Sequence, residues 1–237
     1  MVVTMFLAHL VGDYVLQWDS LARWKSCELK GVLAHGLIVG TVAWLFSLLF
    51  DPGWWPWVLV IWLTHSVVDA VPLALSKRIS FNGSGTAALV RFLIDQGVHI
   101  AVILTVLVRS GYLAVPSLTI DLLAALHDNR WLAITLGYAF ITLPAWILVE
   151  FLVYGLVNGS APDFSQATDK YVSSLERGLI TTFVMAGQFT LVPVVTLPRL
   201  VFEGPRVMGS QQATLYVAEL LASVALAVAV GLALRHL

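Results

Sequence analysis

Residues 8–17 read AHLVGDYVLQ, and this stretch decides what kind of molecule the chain is. His9 and Asp13 lie four residues apart in an otherwise apolar run, a spacing that puts both side chains on one face of a helix. The device returns in THSVVDA, residues 64–70, as His65 and Asp69. It returns in reverse in DQGVH, residues 95–99, as Asp95 and His99. The apolar stretch LAHG, residues 33–36, adds His35. Three imidazole–carboxylate pairs and a further histidine, all set in hydrophobic helices, are the strongest chemical statement in the sequence.

Composition says what surrounds those pairs. Of 237 residues, 59% are hydrophobic and only 11% are charged, and the mean hydropathy is +0.89. A soluble domain carries about 25% charged residues, so this composition requires lipid as part of the solvent. The formal net charge of −1 argues against nucleic acid as a partner. A single cysteine, Cys27, excludes an intrachain disulfide and a zinc–thiolate cluster. Nine Trp suit a chain that meets membrane interfaces. The N-terminal stretch has no basic n-region and carries His9 and Asp13, so it reads as a retained helix rather than a cleaved signal.

The expected fold is an all-α integral membrane helical bundle of about seven transmembrane helices. The hydrophobic segments fall near 2–17, 31–50, 55–75, 87–108, 131–156, 177–202 and 213–234. The first is short, as a span shielded by its neighbours would be. Residues 111–128 contain Pro116, Asp121 and Asp128 and read as a surface helix or loop. Asp51-Pro52-Gly53, Asn82-Gly83-Ser84-Gly85 and Asn158-Gly159-Ser160 mark turns. The two Asn-Gly-Ser triplets read as chance matches to a glycosylation acceptor. The expected organisation is an N-terminal four-helix bundle at 1–110, an interfacial connector at 111–130 and a C-terminal three-helix part at 131–237.

Basic residues orient a membrane chain. With the N-terminus outside, Arg23, Lys25, Lys30, Lys77, Arg78, Arg91, Lys170, Arg177 and Arg235 face the cytoplasm, and Arg109, Arg130, Arg199 and Arg206 face outward. That bias favours an N-out, C-in chain in a cell membrane. In this orientation all seven His and Asp residues fall at similar depth in the cytoplasmic half of the bilayer, given a rise of ~1.5 Å per residue. Four antiparallel helices can then gather them around one cavity.

Ionisable groups inside a span are costly and face a bundle interior or a wet cavity. Neutral imidazole and carboxylate suit Zn, Mn or Fe, and bundle metal sites are built this way. His9, Asp13, His35, His65, Asp69, Asp95 and His99 are therefore the expected ligands of one or two divalent ions. Asp13, Asp69 and Asp95 are the candidate catalytic carboxylates. Gln17, Lys25, Gln96 and Lys77 are the candidate substrate contacts. Lys25, Lys30, Lys77 and Arg78 form a basic rim that fits either a lipid phosphate or the positive-inside rule. Two other classes explain the same residues: a proton or cation relay in a transporter, and interhelical hydrogen-bond glue in a scaffold. The outer halves of the first four segments are nearly free of polar groups, which counts against a transport path.

Elsewhere the signals are structural. Trp54, Trp55 and Trp57 read as an interfacial belt. Glu150 reads as a single buried charge, and Glu176-Arg177 as the interfacial start of the sixth segment. Gln188 lies within that segment, and Pro193 and Pro198 predict an interrupted end to it.

LAHLVGDYVLQ, the lysine-bearing loop after it, LAHG, LTHSVVDAVPL and FLIDQGVHI, in this order, resemble a bacterial polytopic membrane family known as domain of unknown function 3307. The later DKYVSSLERGLITTFVMAGQ is similar to the extended members, which carry a Leu-Glu-Arg motif followed by a glutamine. The resemblance places the family's motif positions on His9, Asp13, Gln17, Lys25, His35, His65, Asp69, Asp95, Gln96 and His99. The chain departs from the family where VPLALSK puts Lys77 after Pro72, and where TLPRL keeps Arg199 beside Pro198. The His-x-x-x-Asp pattern also resembles that of membrane-bound metal-dependent hydrolases. The functional expectation is a membrane-embedded metal-dependent hydrolase acting on a lipid or other amphiphile at the cytoplasmic side, with membrane lipid as its partner.

Overall fold

The computed structural model describes residues 1–76, 84–164, 170–207 and 212–237. Lys77, Arg78 and Asn82 lie outside the described residues. Among those described, every regular element is helical apart from an isolated bridge between Ser84 and Ser160. Long runs of Leu, Val, Ile and Ala, broken only at turn residues, leave the backbone no cheaper way to satisfy its polar groups.

The contacts divide the chain into two units, and the division falls within the fifth helix. The first unit comprises residues 1–82 and 93–136. It opens with α1 (Val2–Leu10), which runs directly into a π-helical turn, Val11–Val15. Next come α2 (Asp19–Cys27), α3 (Leu29–Leu48) and α4 (Trp55–Ser76), then most of α5 (Gly85–Arg109) and α6 (Leu118–Asp128). α1 is buried along almost its whole length, from Val2 to His9, as a short element surrounded by longer ones must be. Its core joins Val2 and Met5 to Ala43, Trp54, Ile61, Ile103 and Leu107. Trp54 is thus a core residue, 3% exposed, while Trp55 keeps the exposure expected of a belt at 54%.

α3 and α4 approach closely because glycine removes the side chains between them. A Cβ on Gly36 would lie 2.2 Å from Ser66 Oγ, and one on Gly40 would lie 2.8 Å from the Trp62 ring. Small residues four apart let two apolar helices draw together. His35 and His65 project from this contact.

The second unit comprises residues 83–92 and 137–237. Its elements are the latter part of α7 (Arg130–Ile141), α8 (Leu143–Val153) with a π turn at Tyr154–Asn158, α9 (Lys170–Met185), α10 (Val192–Phe202), α11 (Gly204–Val207) and α12 (Ala213–Arg235). Ile141, Ala145, Ile180, Val184 and Ala227 form its core.

Among the described residues, four helices are long and apolar enough to cross a membrane: Leu29–Leu48, Pro52–Ala74, Gly85–Arg109 and Ala213–Arg235. α7 and α8, bent by 43° at Thr142, make a fifth if they act as one broken span. The apolar helices Val2–Val15 and Phe189–Phe202 are shorter.

The second unit corrects several expectations. The segment 177–202 is two helices: α9 begins at Lys170 and ends at Met185, and Gly187 (φ +77°) turns the chain before α10. The break precedes Pro193, and Gln188 lies in it. Arg177, expected at the start of the sixth segment, is buried within the protein, 1% exposed. It donates from Nε to Ile141 O (2.8 Å) and from Nη2 to Thr142 O (3.0 Å), carbonyls at the α7–α8 break. Arg199 is likewise buried, bonded to Glu176, Glu203 and Glu219. Glu150 is half-buried and not isolated.

Candidate metal centre

Four elements of the first unit bring the site together. The π turn supplies Asp13, α3 supplies His35, α4 supplies His65 and Asp69, and α2 reaches in with Lys25. The π turn closes with a bond from Leu16 N to Val11 O (2.9 Å). Such turns insert one residue into a helix and re-aim its neighbours, often at functional positions. Here Gly12 allows the turn to lie against Val39, whose Cα would stand 3.1 Å from an added Cβ.

Asp13, His35, His65 and Asp69 each offer one ligand atom, and the four atoms lie within 4.8 Å of one another. His35 Nε2 is 2.9 Å from Asp13 Oδ1, 3.2 Å from His65 Nε2 and 3.4 Å from Asp69 Oδ2. His65 Nε2 is 3.4 Å from Asp69 Oδ2 and 3.8 Å from Asp13 Oδ1. These separations scatter around ~3.3 Å, the edge of a tetrahedron with arms of about 2.0 Å. The side chains of all four are 6% exposed or less.

Proton placement points the same way. A carboxylate only accepts, so the bond to Asp13 requires a proton on His35 Nε2, and a bond to Asp69 requires one on His65 Nε2. Two such N–H groups would then face each other at 3.2 Å. Removing one proton instead sets a bare imidazole nitrogen against a carboxylate oxygen. A central cation meets four lone pairs at once and removes the conflict, so this donor set fits a divalent ion.

The other expected ligands stand beside this group rather than in it. His99 Nε2 is 3.6 Å from Asp69 Oδ1, and its ring stacks on His9 and meets His65 edge-on. His99 Nδ1 donates to Asp95 O (3.0 Å), which fixes the proton there and leaves Nε2 bare when the ring is neutral. Among the described residues that buried Nε2 has no hydrogen-bond partner. Gln96 joins the parts, donating from Nε2 to Asp13 Oδ2 (3.3 Å) and Asp95 Oδ2 (3.0 Å), while His9 Nε2 lies 3.4 Å from its Oε1. Asp95 thus touches the cluster through Gln96.

Lys25 Nζ donates to Asp69 Oδ2 (3.1 Å) and lies 3.8 Å from Asp13 Oδ1. Burial opposes its charge, but Asp13 and Asp69 more than offset this and hold the ammonium above the ordinary lysine range. Gly31 sets its position: a Cβ there would strike the backbone of Trp24 and Lys25 at 2.4–2.6 Å. Gln17 is half-buried just beyond the π turn, and its buried Oε1 has no hydrogen-bond partner among the described residues.

His9, His65 and His99 line a cavity of about 20 Å³, room for a single water, to which Lys25 does not contribute. Its other walls are Met5, Val39, Ala43, Ile61, Val68, Val102 and Ile103, so the polar network ends there against apolar side chains.

The fold and site define an all-helical chain with several helices apolar enough to cross a membrane and a buried Asp/His cluster able to hold a metal. The chain belongs to the family described as protein of unknown function (DUF3307), which matches residues 1–125 and so contains the whole cluster. No curated protein and no solved structure matches it.

Proposed function

We propose that the chain is a membrane-embedded, metal-dependent hydrolase acting on a lipid or other amphiphile at the cytoplasmic side. The observation that carries the reading is the convergence of Asp13, His35, His65 and Asp69, whose ligand atoms lie within 4.8 Å of one another. One ion fits this group. His9, Asp95 and His99 then orient its surroundings, a second layer that governs affinity and reactivity. Mn or Fe, which accept further ligands beyond four, leave room for water and suit catalysis better than zinc closed by four side chains.

A bound ion supplies Lewis acidity and an activated water at neutral pH. The chain's own groups supply the rest. Asp95, held by Gln96, is the group assigned in this reading to take a proton from an attacking water. Lys25, 23% exposed, marks the approach side and can meet an anionic headgroup. In the proposed topology the N-terminus is outside, and Val2–Val15, α7–α8 and α9–α10 join the four long helices to give seven membrane segments. The apolar floor beyond His9 and His99 favours a dead-end pocket over a relay crossing the bilayer.

The test is hydrolysis of phospholipid and lysolipid esters by Mn-loaded protein in detergent. The reading predicts release that stops on chelation and in Asp95→Asn with its metal still bound. Absence of release from every ester class by a metal-loaded, monodisperse protein contradicts it.

A further inference from the structure

We propose that Lys25 is the internal counter-cation of the metal-free site, so that a divalent ion and the Lys25 ammonium exclude each other from the Asp13–Asp69 pair. The inference rests on the metal reading above. Lys25 Nζ is bound to Asp69 Oδ2 at 3.1 Å and lies 3.8 Å from Asp13 Oδ1. These are the carboxylate oxygens that close on His35 and His65. An oxygen lone pair directed at the ammonium is not free for a metal. A divalent ion alone neutralises the two carboxylates, whereas the ion and the ammonium together leave an excess positive charge, and two positive groups a few ångströms apart in a low-dielectric interior repel strongly.

Lysine suits the role. Its charge is compact and its stem flexible, so it can leave without unfolding its helix. The side chain is 23% exposed, against 5–6% for its two partners, so its retreat leads outward. Withdrawal carries the ammonium to the rim, where it becomes available to an anionic group of a substrate. The movement also alters α2, a nine-residue helix whose Arg23, Trp24, Ser26 and Cys27 are exposed. Cys27, the chain's single cysteine, stands two residues from Lys25 and reports on it.

The experiment uses the full chain in detergent, stripped of metal and titrated with Zn²⁺ by calorimetry. A parallel sample carries an environment-sensitive fluorophore on Cys27. Lys25→Gln, with Lys25→Met as a second neutral variant, is compared with Lys25→Arg and the unchanged chain. The expected result is at least tenfold tighter Zn²⁺ binding by the neutral variants, with Lys25→Arg close to the unchanged chain. The Cys27 label shifts on Zn²⁺ addition in the unchanged chain and much less in Lys25→Gln. Stoichiometric binding of equal or lower affinity in both neutral variants overturns the counter-cation role and leaves the metal reading standing. Failure of all four proteins to bind Zn²⁺ removes the metal reading and this inference with it.

Discussion

His35 is the residue most committed to the site. It is fully buried, and its Nε2 touches Asp13, His65 and Asp69, while its Nδ1 has no partner among the described residues. His35→Ala is therefore expected to abolish stoichiometric metal binding. Residues that act through the ligands have a graded effect: Gln96→Ala and His99→Ala are expected to weaken binding by about 10–100-fold, as loss of such supporting contacts commonly does. Calorimetric titration of purified variants checks both. The four-residue spacing and the common depth made the cluster legible as a set. Which four of the seven share a point was not legible, because that depends on the π turn that carries Asp13 and on how closely α3 and α4 meet.

At the scale of elements, glycine decides the geometry. Gly40→Ala would press its Cβ to within 2.8–3.0 Å of Trp62, whose ring cannot retreat without parting α3 from α4. The expected cost is about 1–3 kcal/mol of stability, read by thermal unfolding in detergent, with metal affinity reduced because His35 and His65 separate. Gly31→Ala meets the backbone of Trp24 and Lys25, which no rotamer change relieves. It should loosen α2, seen as a more mobile spectrum from a nitroxide on Cys27; an unchanged spectrum would contradict the assigned contact. The long helices were readable from hydropathy alone. The breaks at Thr142 and Gly187 were not, since hydropathy runs through both and only backbone geometry records them.

At the scale of the whole molecule, the site residues all belong to the first unit, while the buried arginines belong to the second. Arg177 and Arg199 read from the sequence as boundary charges because a basic residue beside an apolar run usually is one. The structure instead uses Arg177 to satisfy carbonyls exposed by a broken helix. Arg177→Met is expected to cost about 1–3 kcal/mol by removing the donor to the Ile141 carbonyl, while Thr142 O keeps the bond from Trp146 N, and folded protein that remains should still bind metal. Thermal unfolding together with metal content of the folded fraction separates the two effects. The central claim is tested most directly by the metal content of the purified full-length chain, measured by mass spectrometry beside His65→Ala/Asp69→Ala. The account predicts one tightly held ion per chain, lost in the double variant. No bound metal, even after reconstitution with excess Mn, Fe or Zn, would contradict it.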